Sequence, residues 1–159
     1  MGYTTDFEGS VTISPPLNAE EIRFLTKFAG TRRMGRQQGP YYVDAPGDFG
    51  QGHDPKIINY NEPPRGQPSL WCHWVPSEDG TSIAWDGGEK FYNSVDWMEY
   101  IINHFLRPGA IAARELPFLQ ANHTVSGVIS AQGEEPSDMW RLVVEDNVVR
   151  KQVAQITYA

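Results

Sequence analysis

The residues best equipped for chemistry crowd into two neighbouring runs. Gln67-Pro68-Ser69-Leu70-Trp71-Cys72-His73-Trp74-Val75-Pro76 is followed by Trp85-Asp86-Gly87-Gly88-Glu89-Lys90-Phe91-Tyr92. Three of the five tryptophans fall here, among a thiol, an imidazole, carboxylates and a lysine. Amphipathic aromatic residues at this density build either a core or a pocket that grips a planar or polar ligand. In the pocket reading, Trp71, Trp74, Trp85 or Tyr92 stack on a base or sugar, and Gln67 and His73 supply hydrogen bonds. That reading requires solvent to reach Trp71 or His73. In the plainer reading the same residues are core.

A second run is basic. Residues 22–43 hold Arg23, Lys27, Arg32, Arg33 and Arg36 with no Asp or Glu, in a chain of net charge −7. Arginine forks match phosphate and carboxylate oxygens in pairs. Arg32 and Arg33 are therefore candidates for holding an anion. The alternative is a helix C-terminus neutralised by basic side chains.

Other chemistries find less support. Cys72 and His73 are neighbours on a predicted strand, so they point to opposite faces and cannot pair with each other. A thiol nucleophile would need His53, His104 or His123 from elsewhere. Asp44, Asp48, His53 and Asp54 cluster, but their spacing fits neither a zinc nor a calcium pattern. Asp86-Gly87-Gly88-Glu89-Lys90 precedes a helix, where free N–H groups attract anions, yet it lacks the Lys-Ser or Lys-Thr ending of a P-loop. A turn that launches the helix accounts for it. The sequence thus assigns no catalytic residue, no metal ligand and no cofactor, and the chain leans away from enzymes.

These residues need elements to hold them. The 159 residues suit one domain, 1–159, with room for a core that needs no disulfide. Alternation about Phe7, Val11 and Ile13 predicts a strand over 3–14, with Gly9 at a bulge or close approach. Asn18 and Glu21 form a capping-box pattern ahead of Ile22, Leu25 and Phe28, predicting a helix to Ala29-Gly30. Residues 30–68 read as a long loop packed by Tyr41, Tyr42, Phe49 and Tyr60, with a short strand at Ile57-Ile58. Residues 69–76 and 81–85 read as a hairpin closed by Glu78-Asp79-Gly80. Leu70, Cys72 and Trp74 would face one side, and Trp71, His73 and Val75 the other. A second helix, capped by Asn93 or Ser94, carries Trp97, Ile101 and His104 and stops at Arg107-Pro108-Gly109. Residues 110–119 are ambiguous, with a short helix ending before Pro117 as one reading. Three strands follow, at about 123–132, 139–146 and 148–158, the last two joined at Asp146-Asn147. The fold class is α+β: a mainly antiparallel sheet of five to six strands covered by two helices, with a long ordered loop.

Charge and cysteine usage narrow the partners. A net charge of −7 argues against general nucleic-acid binding. A lone cysteine and no long apolar run point to the cytosol and away from membranes. Asp6 stands where a myristoylation signal has Ser or Thr.

Long words of this sequence resemble a family of small uncharacterised proteins of tailed bacteriophages and prophages. They are Met1-Gly2-Tyr3-Thr4-Thr5-Asp6-Phe7, Thr31-Arg32-Arg33-Met34, Asp48-Phe49-Gly50-Gln51 and Ile58-Asn59-Tyr60-Asn61 with Pro63-Pro64. Gln67-Pro68 with Leu70-Trp71-Cys72, Trp85-Asp86-Gly87 with Glu89-Lys90-Phe91-Tyr92, and His104-Phe105 extend the likeness. So do Gly127, Gly133-Glu134 and Val144-Glu145-Asp146-Asn147-Val148-Val149. The loop over 35–66 is shorter here than in the family. The resemblance implies a phage accessory protein in the host bacterial cytoplasm, and carries no catalytic residues with it. Accessory proteins of this kind often counter host defence. Two functions follow as expectations. In the first, the chain sequesters a small anionic, nucleotide-type ligand without turnover, through Arg32, Arg33, Gln67, Trp71, His73, Trp74 and Tyr92, with homo-oligomers a natural form. In the second, an acidic surface of Asp44, Asp48 and Asp54, or of Glu134, Glu135 and Asp138, blocks a host defence protein. An enzyme using Asp86, Glu89 or His73 as acid or base is a third reading.

Overall fold

The computed structural model describes residues 2–43, 56–155 and 157–158. Asp44, Asp48, Phe49, His53 and Asp54 lie outside the described residues, so the acidic loop cluster is not placed.

The chain builds a six-stranded antiparallel sheet in the order β4-β5-β1-β6-β7-β8. Its strands are β1 (Asp6–Ser14), β4 (Trp74–Pro76), β5 (Ser82–Trp85), β6 (Thr124–Gln132), β7 (Met139–Glu145) and β8 (Val148–Val153). The short strands β2 (Gly35–Arg36) and β3 (Ile57–Asn59) pair separately within the long loop. β1 lies in the middle because its apolar residues alternate. Phe7, Val11 and Ile13 are buried, while Glu8, Ser10 and Thr12 face water. β6 crosses β1 along its whole length, with Val11 opposite Gly127. A Cβ at Gly127 would stand 2.8 Å from the Val11 Cα, so only glycine lets the two strands approach this closely.

Helix α1 (Ala19–Ala29) begins with the expected reciprocal cap. Asn18 Oδ1 accepts from the Glu21 N–H at 2.7 Å, and Glu21 Oε1 accepts from the Asn18 N–H at 2.9 Å. Helix α2 (Ser94–Ile101) runs on as a π-helical turn over Ile102–Leu106. Its predicted side-chain cap is absent: Asn93 takes a left-handed backbone at φ 60°, and its side chain caps nothing. Phe24 and Phe28 of α1 meet Phe105 edge-on at 5.1 Å, and Phe28 meets Trp97 at 5.8 Å. Phe7, Val11, Ile129 and Leu142 of the sheet join the same cluster, so both helices cover one sheet face. Fully burying a side chain such as Ile129 or Phe105 contributes about 1.5–3 kcal/mol.

Three boundaries differ from the sequence reading. The first hairpin strand covers only Trp74–Pro76, although burial alternates over residues 71–75, beyond the start of ladder pairing. The last strand ends at Val153, well short of 158. The segment after α2 forms a 3-10 turn, Ile111–Arg114. The final hairpin turns at Asp146-Asn147, both with positive φ (46° and 73°), as a tight turn matched to strand twist requires.

One polar cluster sits wholly inside. His123 and Glu21 have no exposure, and His123 Nε2 lies 2.9 Å from Glu21 Oε2. His123 Nδ1 faces the Pro15 carbonyl at 2.7 Å, and the Gln120 N–H donates to Glu21 Oε2 at 3.1 Å. Both ring nitrogens therefore face acceptors, which calls for an imidazolium. Burial opposes its charge, but Glu21 and the Pro15 carbonyl together raise the His123 pKa above its ordinary value. Burial likewise pushes the Glu21 carboxyl up. His123 and the N–H groups of Asn18 and Gln120 outweigh it and hold Glu21 below the ordinary range.

Candidate functional site

Just beyond the paired end of the β4–β5 hairpin, two loops close over a cleft. Trp74 pairs with Trp85, and the Asp86 N–H donates to the His73 carbonyl at 2.9 Å, carrying the ladder one residue further. That register sets His73 across from Asp86. His73 Nδ1 lies 3.0 Å from both Asp86 carboxylate oxygens. Asp86 Oδ1 also accepts from the Gly88 N–H at 2.7 Å, which curls the Gly87-Gly88 turn back against the imidazole. A Cβ at Gly88 would come within 2.4 Å of His73 Cε1 and Nδ1. Phe91 meets the ring edge-on at 5.0 Å.

The cleft beside this pair has a volume of about 420 Å³. Pro63, Leu70, Trp71 and Tyr92 give it apolar and aromatic walls, and Ser69, His73, Glu89 and Lys90 give it polar groups. Its size lies at the lower end of the range for small-molecule sites. The Trp85 indole N–H donates to the Gly88 carbonyl at 3.1 Å, fixing the β5–α2 loop. The Trp97 indole donates to Ser69 Oγ at 2.7 Å, and that hydroxyl faces the Tyr92 carbonyl at 3.2 Å. Ser69 is thus a brace between the two loops, with its hydrogen directed at backbone.

The seven residues expected at a ligand site part company. Trp71, His73 and Tyr92 line the cleft together. His73 keeps 17% of its side-chain exposure and Tyr92 is 49% exposed, so solvent reaches both. Trp74 is core: it is 2% exposed, and its indole donates to the Ser94 carbonyl. Gln67 is buried, and its amide donates to the Pro40 carbonyl at 2.7 Å and the Tyr100 hydroxyl at 3.0 Å. Arg33 is buried over the Phe28 ring at 4.3 Å and donates to the carbonyls of Pro40 and Tyr42. Arg32 covers the Tyr60 ring at 4.1 Å and donates to the Tyr60 carbonyl at 3.3 Å. Arg32 and Arg33 therefore hold the long loop in place, Arg33 against α1, and no residue of the basic run lines the cleft. A carbonyl-rich loop brought inside needs donors, and guanidinium groups supply several each.

Glu89 and Lys90 line the cleft in their stead, and Asp86 holds the His73 ring. The sequence carried a signal for Asp86: extending the predicted hairpin by one pair puts position 86 opposite position 73.

Cys72 holds no nucleophile. Burial pushes its thiol up to about 12, and among the described residues it hydrogen-bonds the Trp74 carbonyl at 3.9 Å. Among the described residues, no group of three or more His, Cys, Asp or Glu side chains could hold a metal ion. Among them, too, no helix is long and apolar enough to cross a membrane.

A larger hollow of about 1000 Å³ lies at one end of the sheet, bordered by Glu8, Met139, Arg141 and Gln152. It contains none of the expected site residues. The chain matches no protein-family model, no curated protein and no solved structure.

Proposed function

We propose that this protein binds a small, nucleotide-type ligand in the Trp71–His73–Tyr92 cleft and sequesters it without turnover, as a phage accessory protein acting against host defence. One observation carries the binding reading. Two partly exposed aromatic side chains and a clamped histidine converge on a cleft of about 420 Å³. Stacking on such aromatics contributes about 1–3 kcal/mol per base. The volume suits one nucleotide or one half of a dinucleotide. The phage context rests on the sequence resemblance alone.

The test is equilibrium dialysis of the full chain against mono-, di- and cyclic nucleotides, followed by mass spectrometry of whatever denaturation releases. Retention of at least one nucleotide, released intact, is the expected result. Free ligand throughout, with no thermal shift, removes the proposal.

A second reading draws on the His73–Asp86 pair, which is arranged as a general base is in acid–base enzymes. A chemically altered ligand in the same dialysis would establish it. The blocking of a host protein by an acidic surface gains less. In the turn over 133–138, Glu134 accepts from the Thr4 N–H at 2.9 Å and Asp138 from the Tyr3 hydroxyl at 2.7 Å. Those carboxylates anchor the first residues of the chain.

A further inference from the structure

The imidazole of His73 is fixed on three sides. Asp86 holds Nδ1, Phe91 stands edge-on to the ring, and the space beside Cε1 and Nδ1 is too narrow for a Cβ at Gly88. Nε2 is the remaining polar vertex. It has no hydrogen-bond partner among the described residues, and it is not sealed from solvent. Orienting one ring nitrogen through the other is how a protein presents a histidine to a ligand. Lys90 lines the same cleft and is exposed, with a left-handed backbone at φ 56° that a side chain rarely adopts.

We infer that His73 Nε2 and the Lys90 ammonium are the phosphate-binding groups of the cleft, and that Trp71 and Tyr92 are its stacking groups. This rests on the nucleotide reading above and adds which groups meet which part of the ligand. Asp86 occupies Nδ1, so Nε2 is the ring atom left to meet the ligand, and an Nε2–H donates to a phosphate oxygen. Lys90 adds a second cationic donor. Glu89 shares the cleft and opposes an anion, but it is exposed and its charge is screened by water. Its oxygens suit the hydroxyls of a sugar lying between base and phosphate. Tyr92, also exposed, is the other titratable group of the lining. The arginine fork expected from the sequence is thus replaced by an imidazole and an ammonium.

Two probe pairs isolate the phosphate: adenosine with 5′-AMP, and uridine with 5′-UMP, titrated calorimetrically into the full chain. Each nucleotide should bind at least about tenfold more tightly than its nucleoside. His73→Gln and Lys90→Gln should each remove most of that ratio by weakening the nucleotide far more than the nucleoside. Trp71→Ala should weaken nucleoside and nucleotide alike. Lys90 is exposed, so K90Q keeps the fold and keeps the test decisive even where H73Q does not. Equal affinity for nucleoside and nucleotide overturns the phosphate assignment and leaves the binding proposal standing. So does a ratio that survives K90Q and H73Q. Failure of all four probes, with failure of the wider nucleotide panel, overturns both.

Discussion

Replacing Glu21 with glutamine tests the most consequential buried contact in this fold. Glu21 and His123 have no solvent exposure and meet at 2.9 Å. The substitution keeps shape and leaves one acceptor for the capping box, but it removes the negative charge opposite the imidazolium. Removing one member of a buried ion pair costs about 3–5 kcal/mol, because the other charge is left without a partner. For a chain of this length each kcal/mol moves Tm by about 2–4 °C, so the drop should be roughly 6–20 °C. Urea unfolding at several pH values is the assay. His123 has an ordinary value of 6.5 and is raised in the fold. Its contribution is therefore complete below 6.5 and lost as pH rises through the folded value. Glu21 has an ordinary value of 4.5 and is lowered. Its contribution is complete above 4.5 and lost as pH falls through the folded value. The gap between wild type and E21Q should be widest between 4.5 and 6.5 and narrow on either side. A gap below about 1 kcal/mol, or one unchanged from pH 5.5 to about 9, would refute the ion-pair account.

Gly88→Ala should drive the His73 ring from its place, since the new Cβ would stand 2.4 Å from two ring atoms. The His73 ring resonances should move, and binding of 5′-AMP should fall without loss of the folded state. Gly127→Ala, whose Cβ would meet the Val11 backbone at 2.8 Å, should destabilise by roughly 1–3 kcal/mol in urea. A loss under about 0.5 kcal/mol would mean that β1 and β6 can part without cost. Cys72 should resist a thiol reagent such as DTNB at pH 8 in the native protein and react once urea unfolds it, because the thiol is buried and pushed up to about 12. Rapid labelling of native protein would contradict that burial.

Local patterns were legible wherever neighbours in sequence decide the outcome. The Asn18–Glu21 cap, the alternation of β1 and the positive-φ turn at Asp146-Asn147 involve residues a few positions apart, and their chemistry is in the sequence. Together they carried the α+β class and the antiparallel sheet. Trp71, His73 and Tyr92 were legible as a group because a short hairpin and its following loop keep them close. Roles that depend on distant partners were not legible. Arg32 and Arg33 have the composition of an anion site, yet a loop brought indoors takes Arg33 for its carbonyls, and the Tyr60 ring and carbonyl take Arg32. Trp74 and Trp71 are equally aromatic and three positions apart, but only the packing of α2 against the hairpin decides that Trp74 is sealed. Glu21 shows itself as a helix cap in the sequence, while its partner His123 stands 102 positions away. A sequence records the propensities of a side chain and its near neighbours; which polar groups become buried, and so which charges must pair, is fixed only when distant segments exclude water from between them.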